Sequence, residues 1–71
     1  MYVELYAEKV RALREERGMS KRDLAAAVGI STTTARNAER GEPVRSKTAR
    51  KVAAALGVKP LQRLGRSARR P

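Results

Sequence analysis

The sequence predicts a small all-α domain, a compact bundle of five helices followed by a basic C-terminal tail. Three observations carry that expectation. Apolar residues recur at helical spacings of three and four along most of the chain. Serines and glycines punctuate those runs where helices start and stop: Ser20, Ser31 and Ser46 ahead of them, Gly18, Gly29 and Gly57 behind them. The chain has 71 residues with no Cys and no His, so neither a disulfide nor a zinc site supports the fold, and a single hydrophobic core must do so near its lower size limit. The expected division is a domain over residues 1–64 and a tail over 65–71.

Taken in order, Tyr2, Tyr6, Val10 and Leu13 follow spacings of four, four and three, which predicts an amphipathic first helix running to about Arg17 and ended by Gly18. Ser20 to Asp23 resembles a capping box with Asp in place of Glu. A second helix is therefore expected from about Lys21, carrying Leu24, Ala25 and Val28 inward. Gly29 then stands where a left-handed backbone commonly closes a helix. The third helix, Ser31 to Arg40, is capped by Ser31 and offers only Ala35 and Ala38 as an apolar face. After Gly41 and Pro43, Ser46 is expected to cap a fourth helix, Lys47 to Leu56, with Val52, Ala53 and Leu56 on one side. A short fifth helix or turn, Pro60 to Leu64, places proline at a first helical position and adds Leu61 and Leu64 to the core. Gly65 to Pro71 has no apolar anchor and reads as a disordered tail.

Charge is distributed unevenly. The net charge is +10, yet residues 1–19 balance to zero and residues 20–42 carry only +1. From Pro43 onward there are nine basic residues and no acidic one. Such a field attracts polyanions, nucleic acid or an anionic surface, with a merely solubilising surface as the plain alternative. Arg outnumbers Lys by twelve to five, which suits phosphate binding. Without Cys or His the usual metal sites and catalytic triads are excluded, so neither an enzyme nor a cofactor is expected. No apolar run reaches even ten residues, so no secretory signal or membrane span is expected and a cytoplasmic, nucleoid-associated location follows.

The third helix poses the functional question, because three threonines, an arginine and an asparagine stand where a small domain should bury leucines. Leu24, Ala25, Val28, Gly29, Ile30, Ala35 and Ala38 together form the pattern of two helices crossing at a tight turn, the second projecting outward. From about Leu5 to Leu64 the chain resembles the Cro and lambda-repressor type of helix-turn-helix domain, the XRE family. Three blocks carry the likeness in order: VRALREERGMSKRDLAAAVGIS at 10–31, ERG at 39–41 and TARKVAAALGV at 48–58. The resemblance implies five helices, with the third in the DNA major groove and the second across the backbone.

By position, the resemblance makes Thr32, Thr33, Arg36 and Asn37 the base-facing residues. Their chemistry fits: Arg bonds guanine in bidentate fashion, Asn bonds adenine, and Thr offers a hydroxyl or touches the thymine methyl. Lys21, Arg40, Arg45 and Lys47 are the expected phosphate contacts, with open helix-terminal amides beside them. Plainer readings stand next to these. Thr32 and Thr34 can satisfy helix-terminal amides, Arg36 can pair with Glu39, and Arg66, Arg69 and Arg70 can be a flexible arm or only a solubilising tail. Against the family pattern, Ala35 and Ala38 are small where bulkier residues are common, and Glu42 sets an acid in a loop that often meets phosphate. Glu15 and Glu16 are expected to face away from DNA.

These features predict a sequence-specific regulator of double-stranded DNA, a small repressor of phage, plasmid or mobile-element type with no small-molecule ligand. Weak homodimers on DNA are expected, with residues 58–64 as the interface. The alternatives are an antitoxin-like or adaptor module holding a protein partner through an exposed patch at Leu61 and Leu64, or an excisionase-like architectural DNA-binding protein.

Overall fold

The computed structural model describes residues 1–59 and 61–68. In chain order these form β1 (Tyr2–Leu5), α1 (Ala7–Glu16), α2 (Lys21–Val28), α3 (Thr32–Glu39), β2 (Pro43–Arg45), α4 (Ser46–Ala55), a 3-10 turn (Leu61–Arg63) and β3 (Gly65–Ala68). The expected all-α, five-helix architecture is therefore corrected: among the described residues there are four α-helices and one three-stranded antiparallel sheet, in the order β2-β1-β3.

The N-terminal segment departs first. Tyr2 to Leu5 is a strand, and its period is two: Val3 and Leu5 are buried while Tyr2 and Glu4 take the other face. The spacing of Tyr2, Tyr6 and Val10 that predicted a helix is accidental, because Tyr6 is 44 % exposed and belongs to no apolar stripe. Helix α1 begins only at Ala7.

Strand β1 lies at the centre of the sheet although it comes first in the chain. It pairs Tyr2 with Arg45, Val3 with Val44 and Glu4 with Pro43 on one side, and residues 2 to 5 with residues 68 to 65 on the other. The Tyr6 amide donates to the Leu64 carbonyl at 2.7 Å, and the Ser46 amide donates to the Met1 carbonyl at 2.9 Å. Antiparallel ladders alternate, so even residues of β1 bond β3 and odd ones bond β2. Pro43, opposite Glu4, thus loses nothing by lacking an N–H.

The same alternation explains Gly65. It faces Leu5 in a closely spaced pair without ladder hydrogen bonds. A Cβ there would stand 2.8 Å from the Glu4 carbonyl oxygen and 2.9 Å from the side chains of Leu5 and Val3. The missing side chain is what lets β3 dock. Residues 65–68, expected to open a disordered tail, are therefore a strand, and Arg66 pairs with Glu4 across it at 3.1 Å. The rest of the expected tail, residues 69–71, and Pro60 lie outside the described residues.

The middle of the chain follows its local signals. Ser20 and Asp23 form the capping box, with the Asp23 amide donating to the Ser20 hydroxyl and the Ser20 amide to the Asp23 carboxylate, each at 3.0 Å. Gly29 closes α2 in the left-handed region at φ 79°. The Ser31 hydroxyl caps α3 by accepting from the Thr34 amide at 3.1 Å. Ser46 behaves differently from expectation. Arg45 occupies the cap position of α4, no side chain caps it, and the Ser46 amide is taken by the sheet. The core lies between the sheet and the helices, with Val10, Leu24, Val52, Leu56 and Leu64 its largest fully buried side chains.

One buried charge crosses this core boundary. Arg14 of α1 donates from Nε and Nη2 to the two carboxylate oxygens of Glu39 at the end of α3, at 2.5 and 3.2 Å, and from Nη1 to the Met19 carbonyl at 2.6 Å. The two side chains are only 9 % and 4 % exposed. This fork ties α1, the turn before α2, and the end of α3 to one guanidinium.

Removing one partner of a buried pair strands the other. Glu39→Ala is expected to cost about 3–5 kcal/mol in urea unfolding, while Glu15→Ala, which removes an exposed pair with Arg11 and only a long 3.8 Å contact to Arg14, shifts stability by no more than about 1 kcal/mol. Gly65→Ala should destabilise the sheet by about 1–3 kcal/mol, because the new methyl meets backbone and core side chains. The Asp23 carboxyl is held below its ordinary range by the hydrogen bonds from the Ser20 amide and hydroxyl, with a smaller contribution from the charge on Arg22. Its folded-state pKa being lower than in the unfolded chain, the capping contribution is complete above about pH 4 and is lost as pH falls through the lowered value. Acid titration of thermal stability should therefore lose one proton-linked component in Asp23→Asn.

Candidate nucleic-acid interface

Helices α2 and α3 meet through small residues. Leu24, Ala25 and Val28 face inward from α2, and Ala35 and Ala38 of α3 are completely buried. The left-handed Gly29 and the half-buried Ile30 make the turn between them. With methyl groups as its only buried apolar side chains, α3 lies close against the core, and apart from Glu39 at its end it turns most of its polar residues out.

Those residues are the ones the sequence singled out. Thr32, Thr33 and Arg36 are exposed and Asn37 is half-buried at the same surface. None of the four makes a side-chain hydrogen bond or ion pair among the described residues. Arg36 does not pair with Glu39, whose carboxylate is turned inward onto Arg14. Thr34 is the threonine committed to the helix terminus, its hydroxyl lying 2.9 Å from that of Ser31. The Asn37 backbone carbonyl accepts from the amides of Arg40 and Glu42, each at 3.1 Å, which closes the end of α3 and leaves the side-chain amide to the surface.

The four basic residues are all exposed but differ in setting. Lys21 opens α2 beside the Ser20–Asp23 box, where the Asp23 carboxylate already occupies the helix terminus. Arg40 is the C-cap residue of α3. Arg45 sits at the start of α4 with its guanidinium carbon 5.9 Å from the centre of the Tyr2 ring, within cation–π range. Lys47 lies in the first turn of α4, whose amides have no side-chain cap. Glu42 is exposed in the loop between Arg40 and Arg45. Glu15 is engaged at the surface by Arg11 at 3.3 Å.

Two features were absent from the sequence reading. The Arg14–Glu39 fork has a signal in hindsight: Arg14 follows Val10 by four positions and so falls on the buried stripe of α1, where a charge demands a partner. The Tyr2–Arg45 contact has none, because it exists only through strand pairing. Leu61 and Leu64 join the core as expected, so the exposed patch that the adaptor alternative would need is not formed by Leu64. Leu64 is fully buried under the sheet, and Leu61 is half-buried. Among the described residues no cluster of acidic side chains is arranged to hold a metal ion, and no helix is long and apolar enough to cross a membrane.

Comparison with known proteins agrees with this geometry. A sequence model of the Helix-turn-helix family matches residues 10–63, from the buried side of α1 to the 3-10 turn. No curated protein matches the chain. With α2, the Gly29 turn and an outward-facing polar α3 inside a match covering most of its length, the chain belongs to the helix-turn-helix family of the Cro and lambda-repressor type, the XRE group of DNA-binding regulatory domains.

Proposed function

We propose that this protein is a sequence-specific transcriptional regulator of double-stranded DNA, a small repressor of phage, plasmid or mobile-element type, with α3 entering the major groove. The observation that carries the reading is the unpartnered outer face of α3. Glu39 is withdrawn to Arg14, so Thr32, Thr33, Arg36 and Asn37 keep their hydrogen-bonding capacity for a ligand. Base edges match that capacity: guanine accepts two bonds from Arg36, adenine exchanges two with Asn37, and the threonines take hydroxyl or methyl contacts.

Lys21, Arg40, Arg45 and Lys47 supply the phosphate contacts in this reading, with the open amides of α4 beside the last two. Four neutralised phosphates give a salt dependence of log K against log salt with a slope of about −3.6. Occupying a promoter in this way blocks transcription without catalysis. Two copies bound about 34 Å apart on a palindrome would place one α3 in each half-site. Val58 and Leu61 are the half-buried apolar residues left near the expected dimer interface, a small area consistent with pairing that is weak away from DNA.

A second reading, an adaptor that holds a protein partner, draws on a shallow recess of about 170 Å³ formed by Ala53, Ala54, Val58 and Leu61 with Arg50 and Lys59 at its margin. Its size suits one or two side chains.

Selection from a random duplex pool at near-physiological salt separates the readings. An enriched inverted repeat is the expected result, and absence of any motif would move the adaptor reading to the front. On the selected site, Arg36→Ala and Asn37→Ala should each lose about 1–3 kcal/mol and relax preference at one base position. Arg40→Ala should instead weaken specific and random duplexes alike and reduce the salt slope by about 0.9. Equal losses on both duplexes for Asn37→Ala would remove it from the base-reading set.

A further inference from the structure

Tyr2 stands on the solvent side of β1, directly opposite Arg45 of β2. By the alternation of the ladder this is a pair without hydrogen bonds between the two residues, in which side chains approach most closely. The Arg45 guanidinium lies over the aromatic ring at 5.9 Å and makes no hydrogen bond or ion pair of its own among the described residues. On its other side Tyr2 pairs with Ala68, a small side chain, and Tyr2 itself is half-buried. Met1, Tyr2, Arg45 and Ala68 thereby line an open recess of about 440 Å³.

We propose that Tyr2 is a positioning residue for DNA binding, holding the Arg45 guanidinium on its ring so that the in-plane N–H groups face a backbone phosphate at that recess. The inference rests on the DNA reading above and deepens it by adding β1 to the interface. Three facts support it. A cation on a ring face keeps its N–H donors free at the guanidinium edge, where phosphate is bound. The cation–π contact also restricts rotamer freedom that a free arginine would lose on binding, so the phosphate contact forms with less entropic cost. Arg45 is five residues beyond Arg40, the C-cap of α3, so its Cα lies at most about 17 Å from that helix end, close enough for one duplex to meet both.

Tyr2 lies ahead of the Helix-turn-helix match, which begins at residue 10. It reaches Arg45 through the sheet, where β1 brings residues 2–4 beside residues 43–45 at the start of α4. The neighbouring pair on the same face, Glu4 with Arg66, satisfies its charges internally. Arg45 is left as the strand-held cation without a carboxylate.

The test is a double-mutant cycle read by anisotropy of a labelled random-sequence duplex across a salt series, which needs no operator. The proteins are wild type, Tyr2→Phe, Tyr2→Leu, Arg45→Ala and the Tyr2→Leu/Arg45→Ala double variant. Leucine keeps apolar bulk and fits a strand but has no ring face, so a purely structural role would tolerate it. The expected result is that Tyr2→Leu weakens binding by about 2- to 5-fold, Tyr2→Phe retains wild-type affinity, and Tyr2→Leu has no further effect once Arg45 is alanine. An unchanged affinity in Tyr2→Leu, or the same loss in both backgrounds, overturns the positioning role while leaving the DNA reading intact. Failure of the wild type itself to bind any duplex overturns both.

Discussion

The arrangement of the domain depends on the guanidinium of Arg14. The apolar side chains that helix α3 presents to the core are only the methyl groups of Ala35 and Ala38, and burial of a methyl-sized group is worth only about 0.8 kcal/mol. Two such groups cannot define how an eight-residue helix sits. The fork from Arg14 to Glu39 can, because it is directional, nearly dry, and strongly unfavourable to leave half made. A buried pair of this kind adds little net stability over an apolar substitute, but it specifies one orientation. Here it also removes the acid that would otherwise quench Arg36, so the same bond sets the helix and leaves its outer face chemically open.

Small residues inside and hydrogen-bonding residues outside are two aspects of one solution. An α3 with leucines inward would need more volume beneath it and would stand farther from α2. With alanines it sits close, and Gly29 makes the tight turn that brings it there. What remains exposed is a short polar surface of fixed orientation, which is the property a reader of base edges requires.

The sheet performs a separate task. Because β1 is central, the start of the chain holds both the segment after α3 and the segment after the 3-10 turn. Pro43 to Arg45 is thereby a strand rather than a mobile loop, and Arg45 enters α4 from a fixed direction. Gly65 lets β3 approach within the distance that the backbone of β1 permits, and Leu64 is drawn fully into the core just before it. Helix-turn-helix and sheet meet at the loop carrying Glu42, so Arg40 is set by the end of α3 and Arg45 by strand pairing.

The helix-turn-helix was legible because its signals are local. Ser20 with Asp23, Gly29, Ser31 and the inward alanines each act within one or two turns, and the structure realises each as the residues alone suggest. The outward residues of α3 were legible for the same reason, since a polar helix in a chain this small has no internal use for them. The sheet was not. Strands of three or four residues have too few positions to establish a period, and β1 finds its partners about forty and sixty positions away. Val3 and Leu5 do alternate, but the tyrosines beside them match a helical spacing equally well. The sequence by itself therefore determined the helix-turn-helix and the chemistry of its outer face, through capping, glycine geometry and helical periodicity. Only the tertiary structure decided the sheet, the Arg14–Glu39 fork and the seat of Arg45, because each joins residues whose meeting depends on the closure of the whole chain.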